Sequence, residues 1–100
     1  MPMPLGEWRQ LVGEFMELDA RRRKLLGEAN PDKEQEYDQV CVGLMKLAGK
    51  LRTSSAEYMP ETAGDEAVSR EWKAIKSGAD TLFKDLNKSR HQDWVHAVND

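Results

Sequence analysis

The sequence predicts an all-α domain, an up-down-up antiparallel three-helix bundle with a kinked or separate short C-terminal helix. Three observations carry that expectation. Apolar residues recur every three to four positions along three segments. Proline-bearing turns separate those segments. Acidic residues open each segment and basic residues close it, which complements the helix dipole.

The first segment, 5–29, places Trp8, Leu11, Phe15, Leu18 and Leu25 on one stripe, interrupted only by Arg22 before Ala29. Asn30-Pro31-Asp32 ends it, because proline disfavours helical geometry in the residue before it, and Asp32 with Gln35 forms a capping box for the next helix. The second segment, 33–59, repeats the stripe with Tyr37, Val40, Leu44, Leu47 and Leu51, then Ser54 and Tyr58, and Pro60 closes it. Thr62 with Asp65 offers a second capping box. The third segment, 63–87, carries Val68, Trp72, Ile75, Ala79, Leu82 and Leu86. Its next positions are Ser89, Asp93 and His96, and Ser89 with Gln92 makes a further capping box, so a kink or a short helix over 90–98 is expected. Short connections make sequential helices antiparallel neighbours.

Charge order is the same in all three segments. The first runs from Glu7 and Glu14 to Arg21, Arg22, Arg23 and Lys24; the second from Asp32, Glu34, Glu36 and Asp38 to Lys46, Lys50 and Arg52; the third from Glu61, Asp65 and Glu66 to Lys84, Lys88 and Arg90. In an up-down-up bundle the basic end of one helix then faces the acidic start of the next. Four glycines inside the helices, Gly13, Gly43, Gly49 and Gly78, each cost about 1 kcal/mol relative to alanine and are candidate points of close helix approach.

One hundred residues suffice for one domain with its own core. With 39% hydrophobic and 33% charged residues, the composition is that of a soluble globular chain. The longest unbroken apolar stretch is Val40, Cys41 and Val42, far short of the roughly 20 residues that span a bilayer, so no membrane association is expected. The start of the chain, with two prolines and no basic residue ahead of an apolar run, does not read as a secretory signal, which makes a cytoplasmic location the expectation. Cys41 is the single cysteine and excludes an internal disulfide; on its apolar stripe it reads as a small buried hydrophobe.

No catalytic constellation emerges. His91 and His96 are five apart, about 140° around a helix, whereas a metal pair wants a spacing of four, so no metal or cofactor is expected. Carboxylate pairs such as Glu14 with Glu17, or Glu34 with Asp38, lie among lysines and arginines rather than in a desolvated setting that would raise a pKa. The chain contains no phosphate loop, HExxH pair or calcium loop, and Asn87-Lys88-Ser89 matches the glycosylation triplet only formally. The sequence therefore reads as non-enzymatic.

Two surface features remain. Met16, Val42, Met45, Phe83, Trp94 and Val95 lie beside the seams and compose a candidate partner-binding patch, methionine and tryptophan being suited to adaptable contacts. Arg21, Arg22, Arg23 and Lys24, with Lys88 and Arg90 at the same end of the bundle, compose a candidate contact for nucleic acid or an acidic partner. The net charge of −3, and the fanning of four consecutive residues around a helix, favour a structural role for that cluster. The layout, with tryptophans on its seams, is similar to that of spectrin-like repeats and of small bacterial or phage accessory proteins, a likeness of architecture that carries no functional residue across.

The functional expectation is a protein–protein interaction module, an adaptor, accessory subunit or inhibitor of a larger complex such as a phage would encode. Self-association as a homodimer is a further expectation. The alternative is a nucleic-acid-associated accessory protein using the basic residues.

Overall fold

The computed structural model describes residues 2–53, 58–62 and 64–99. They include three α-helices and a 3-10 turn: α1 (Leu5–Gly27), the turn Pro31–Lys33, α2 (Glu34–Leu51) and α3 (Glu66–Asn99). Among the described residues there is no strand, only an isolated parallel bridge between Met3 and Pro60. The Met3 N–H donates to the Met59 carbonyl at 2.7 Å, and Glu61 N–H donates to the Met3 carbonyl at 2.9 Å. This bridge ties the segment ahead of α1 to the chain ahead of α3, and Pro60 beneath it is fully buried. No described helix is long and apolar enough to cross a membrane.

The helices assemble because their stripes bury one another. Trp8, Val12, Phe15 and Leu25 of α1 meet Tyr37, Val40, Cys41, Leu44, Ala48 and Leu51 of α2, and Ala79, Leu86 and Trp94 of α3 complete the cluster. The core is wider than the predicted seams, since Val12, Cys41 and Ala48 join it from one position to the side. Leu11, Leu18, Leu47, Trp72, Ile75 and Leu82 are on their seams but only half-buried, so the seams mark the edges of the core as well as its centre.

The cap residues differ from the sequence reading. At the first turn it is the Asn30 side chain that accepts from the Asp32 N–H, at 3.0 Å, and so caps the 3-10 turn; Asp32 is inside that turn. Ahead of α3, the Asp65 carboxylate accepts from the N–H groups of Ala67 and Val68 at 2.9 and 3.3 Å, which makes Asp65 the cap. Gly64 precedes it at φ +81°, a left-handed conformation that suits glycine. α2 stops at Leu51 rather than near residue 59, with the Arg52 N–H closing onto the Ala48 carbonyl. The predicted continuation through Ser54 falls outside the described residues, and Tyr58 lies beyond the end of α2.

α3 is one helix of 34 residues with no break over 87–90, so a separate fourth helix is not formed. The reason is local: Ser89 Oγ donates to the Asp85 carbonyl one turn back at 2.9 Å, which keeps the hydroxyl within α3 instead of opening a new N-terminus. At about 1.5 Å per residue such a helix is about 51 Å long, in keeping with the 49 Å long axis of the molecule.

Contacts between helices fix which ends meet. Arg21 Nη2 pairs with Glu36 Oε1 at 2.6 Å, and a Cβ built on Gly43 would lie 3.4 Å from Leu18 Cδ1, the one close approach between α1 and α2 that a predicted glycine serves. Tyr37 stacks on Trp94 with ring centroids 4.7 Å apart, and its hydroxyl donates to the Arg90 carbonyl at 2.9 Å. Further along, Arg52 Nε pairs with Asp80 Oδ1 at 2.9 Å. Arg9 of α1 reaches Glu71 of α3 at 3.2 Å.

Candidate interaction groove

On α2, residues 42, 45, 46 and 49 share a face because they are spaced by three and four. Where that face meets α3 it leaves an open groove of about 430 Å³, lined by Val42, Met45, Lys46 and Gly49 from α2 and by Phe83 and Arg90 from α3. Val42 is 44% exposed, and Met45 and Phe83 are half-buried. Gly49 forms part of the floor: a Cβ there would meet Phe83 Cε2 at 3.7 Å, ordinary packing distance.

The rim of this groove is cationic. Arg90 Nη1 donates to the Met45 sulfur at 3.2 Å, which holds the guanidinium beside the apolar lining. The Arg52 guanidinium sits 4.4 Å above the Phe83 ring while pairing with Asp80. Lys84 Nζ also reaches Asp80, at 3.0 Å. The hydrogen bond from Lys84, and then the charges of Lys84 and Arg52, hold the Asp80 carboxyl below its ordinary value against the opposing pull of desolvation. Asp80 thereby answers Arg52 and Lys84, whereas Lys46 and Arg90 have no carboxylate partner among the described residues. Asp38, one turn ahead of Val42, is exposed and marks the far end of the strip.

The six apolar candidates therefore divide among four places. Val42, Met45 and Phe83 come together in the groove. Met16, 57% exposed, borders a separate groove of about 400 Å³ between α1 and α3, floored by Phe15, Ile75, Ala79 and Leu82. Val95, 41% exposed, lies with Val98 and Pro31 in a shallow depression near the end of α3. Trp94 is a correction: at 3% exposure and stacked on Tyr37 it belongs to the core, because α3 continues as one helix and carries the indole onto α2.

The basic candidates divide too. Arg21 pairs with Glu36 across helices, while Arg22 and Arg23 both pair with Asp19 at 3.4 and 2.6 Å, so three members of the run are answered by carboxylates. Lys24 and Lys88 are exposed. Arg90 alone faces the apolar groove. The sequence reading places Lys46 and Arg52 at the basic end of their helix and Gly49 among the candidate points of close helix approach, but assigns none of them to a contact surface; their spacing from Val42 and Met45 was the available signal.

Cys41 is fully buried, and burial pushes its thiol up. Burial, with a hydrogen bond involving Cys41, likewise raises the Tyr37 phenol. His91 and His96 are exposed, and among the described residues no three His, Cys, Asp or Glu side chains are grouped to hold a metal. Comparison of this chain with protein-family models, with curated proteins and with solved structures finds no match.

Proposed function

We propose that this chain is a non-catalytic protein–protein interaction module, an adaptor, accessory subunit or inhibitor, whose contact surface is the α2–α3 groove. The observation that carries this reading is the convergence of Val42, Met45 and Phe83, chosen from sequence as off-seam apolar residues, on one open groove bordered by Arg90. A partly exposed methionine and aromatic at the centre of a polar rim is the usual anatomy of a contact site. The reading takes the helix order as up-down-up, supported by contacts that pair early α2 with late α3 (Tyr37 with Trp94) and late α2 with earlier α3 (Arg52 with Asp80). Arg21 with Glu36 sets the end of α1 beside the start of α2 in the same way.

The test is affinity purification of the protein from its native source, run in parallel with a Val42→Asp, Met45→Glu variant whose helicity is checked by circular dichroism. A protein retained by the wild type and lost from the variant supports the groove as the contact. Identical retention by both overturns it.

The nucleic-acid alternative ranks second, since Arg21, Arg22 and Arg23 each have a carboxylate partner. The α1–α3 groove beside Met16 is the surface we assign to self-association. Light scattering at tens of micromolar reads that directly, with a dimer expected and a monomer removing the assignment. The working location is cytoplasmic, where a lone thiol such as Cys41 stays reduced.

A further inference from the structure

Resting on the interaction-module reading, we propose that the α2–α3 groove takes an amphipathic helix of a partner protein, with apolar anchors on Val42, Met45 and Phe83 and carboxylates on Lys46 and Arg90.

The argument for carboxylates is the charge left over at the rim. The molecule is acidic as a whole, at net −3, yet the charged residues lining this groove are Lys46 and Arg90, with the Arg52 guanidinium over the Phe83 ring. Asp80 is already shared by Arg52 and Lys84. Arg90 is different, because the acceptor it reaches is the Met45 sulfur at 3.2 Å, a weak acceptor that leaves most of the guanidinium fork available. An exposed guanidinium held beside an apolar lining by one weak contact keeps the donors needed for two-point recognition of a carboxylate. Lys46 stands on the same α2 face and supplies a second cation.

The argument for a helix is the shape of the site. The groove runs between two helices from Val42 to Gly49, seven residues, or about 10 Å of rise. Such a groove receives side chains spaced i, i+3, i+4 and i+7 along an amphipathic helix. A glycine in the floor deepens the groove where it meets Phe83, and a side chain placed there would pack against that ring. Lys46 and Arg90 line the groove together with Val42, Met45, Gly49 and Phe83, so the apolar anchors and the carboxylates of a partner would be read by different residues of the same lining.

The experiment uses the full chain and two fluorescein-labelled synthetic peptides of about 18 residues. Both carry the same Leu and Phe anchors at i, i+3, i+4 and i+7; one has Glu at the flanking positions and the other Lys. A labelled single-stranded oligonucleotide is the third probe, and anisotropy is the readout. The acidic peptide is expected to bind, to weaken as salt rises, and to lose about tenfold in affinity in Arg90→Glu and again in Lys46→Glu. The same variants are expected to gain affinity for the basic peptide. Both substituted residues are exposed, and circular dichroism verifies that each variant keeps its helices.

Equal binding of the two peptides, unchanged in both variants, overturns the carboxylate inference and leaves the interaction-module reading standing. No binding of either peptide, with partner retention in the affinity test still lost in Val42→Asp, Met45→Glu, overturns the helix as occupant. Preferential binding of the oligonucleotide, lost in Arg90→Glu, overturns the proposal in favour of nucleic acid. A concentration-dependent dimer that excludes the acidic peptide overturns it in favour of a second copy of this chain.

Discussion

Trp94→Ala separates a core tryptophan from a docking tryptophan. The side chain is 3% exposed and stacked on Tyr37 at 4.7 Å, with an interplanar angle of 23°. Tryptophan burial removes on the order of 200 Å² from water, worth about 5 kcal/mol at about 25 cal/mol per Å². Alanine keeps part of that, and residual compactness of the unfolded chain reduces it further. The stack adds about 0.5–1.5 kcal/mol. The expected loss is therefore about 3–5 kcal/mol, a large fraction of the roughly 5–15 kcal/mol that stabilises a domain. Urea unfolding followed by far-ultraviolet circular dichroism measures it, with Trp94→Phe as a variant that keeps a ring on Tyr37 and loses less. A change below about 0.5 kcal/mol in Trp94→Ala, the value for an exposed position, would refute the placement of Trp94 in the core.

Tyr37→Phe removes the hydroxyl that donates to the Arg90 carbonyl, and is expected to cost about 0.5–1.5 kcal/mol in the same assay, because that carbonyl keeps its helical donor within α3. Raised pKa values for Tyr37 and Cys41 mean that the folded chain holds these protons after the unfolded chain has released them. Their contribution is present below the ordinary values of 9.0 for Cys41 and 10.0 for Tyr37 and is lost as pH rises past them. Unfolding midpoints should therefore fall above about pH 9, and the fall should be shallower in Tyr37→Phe. Gly13→Ala and Gly78→Ala, where an added Cβ meets nothing within 4 Å, should each stabilise the protein by about 1 kcal/mol, read as a higher thermal midpoint. Glu36→Gln opens the exposed pair with Arg21 and should lower stability by less than about 1 kcal/mol, an effect that shrinks with salt.

The stripes were legible because burial repeats with the helical period. Leu44, Leu51, Val68 and Leu86 are buried where their spacing puts them. Helix ends were less legible. Asp65 caps α3 because its own carboxylate reaches the N–H groups two and three residues on, an arrangement that a Thr62–Asp65 spacing also suggests but with the roles exchanged. Ser89 could have begun a helix or continued one, and only its hydrogen bond to Asp85 decides for continuation. That decision moved Trp94 from the candidate surface to the core. Within the groove, Val42 and Met45 were visible as apolar residues off their seam. Their meeting with Phe83 and Arg90 was not, because it depends on the register between α2 and α3, which Tyr37 with Trp94 and Arg52 with Asp80 establish in three dimensions. The same register leaves Met16 facing the other groove.

Amide chemical-shift mapping of the labelled protein, titrated with the acidic peptide, addresses the central claim at residue resolution. The account predicts that the perturbed amides cluster on Val42, Met45, Lys46, Gly49, Phe83 and Arg90, with α1 unaffected. Perturbations centred on Arg21 to Lys24 or around Met16, with the α2–α3 groove silent, would contradict it.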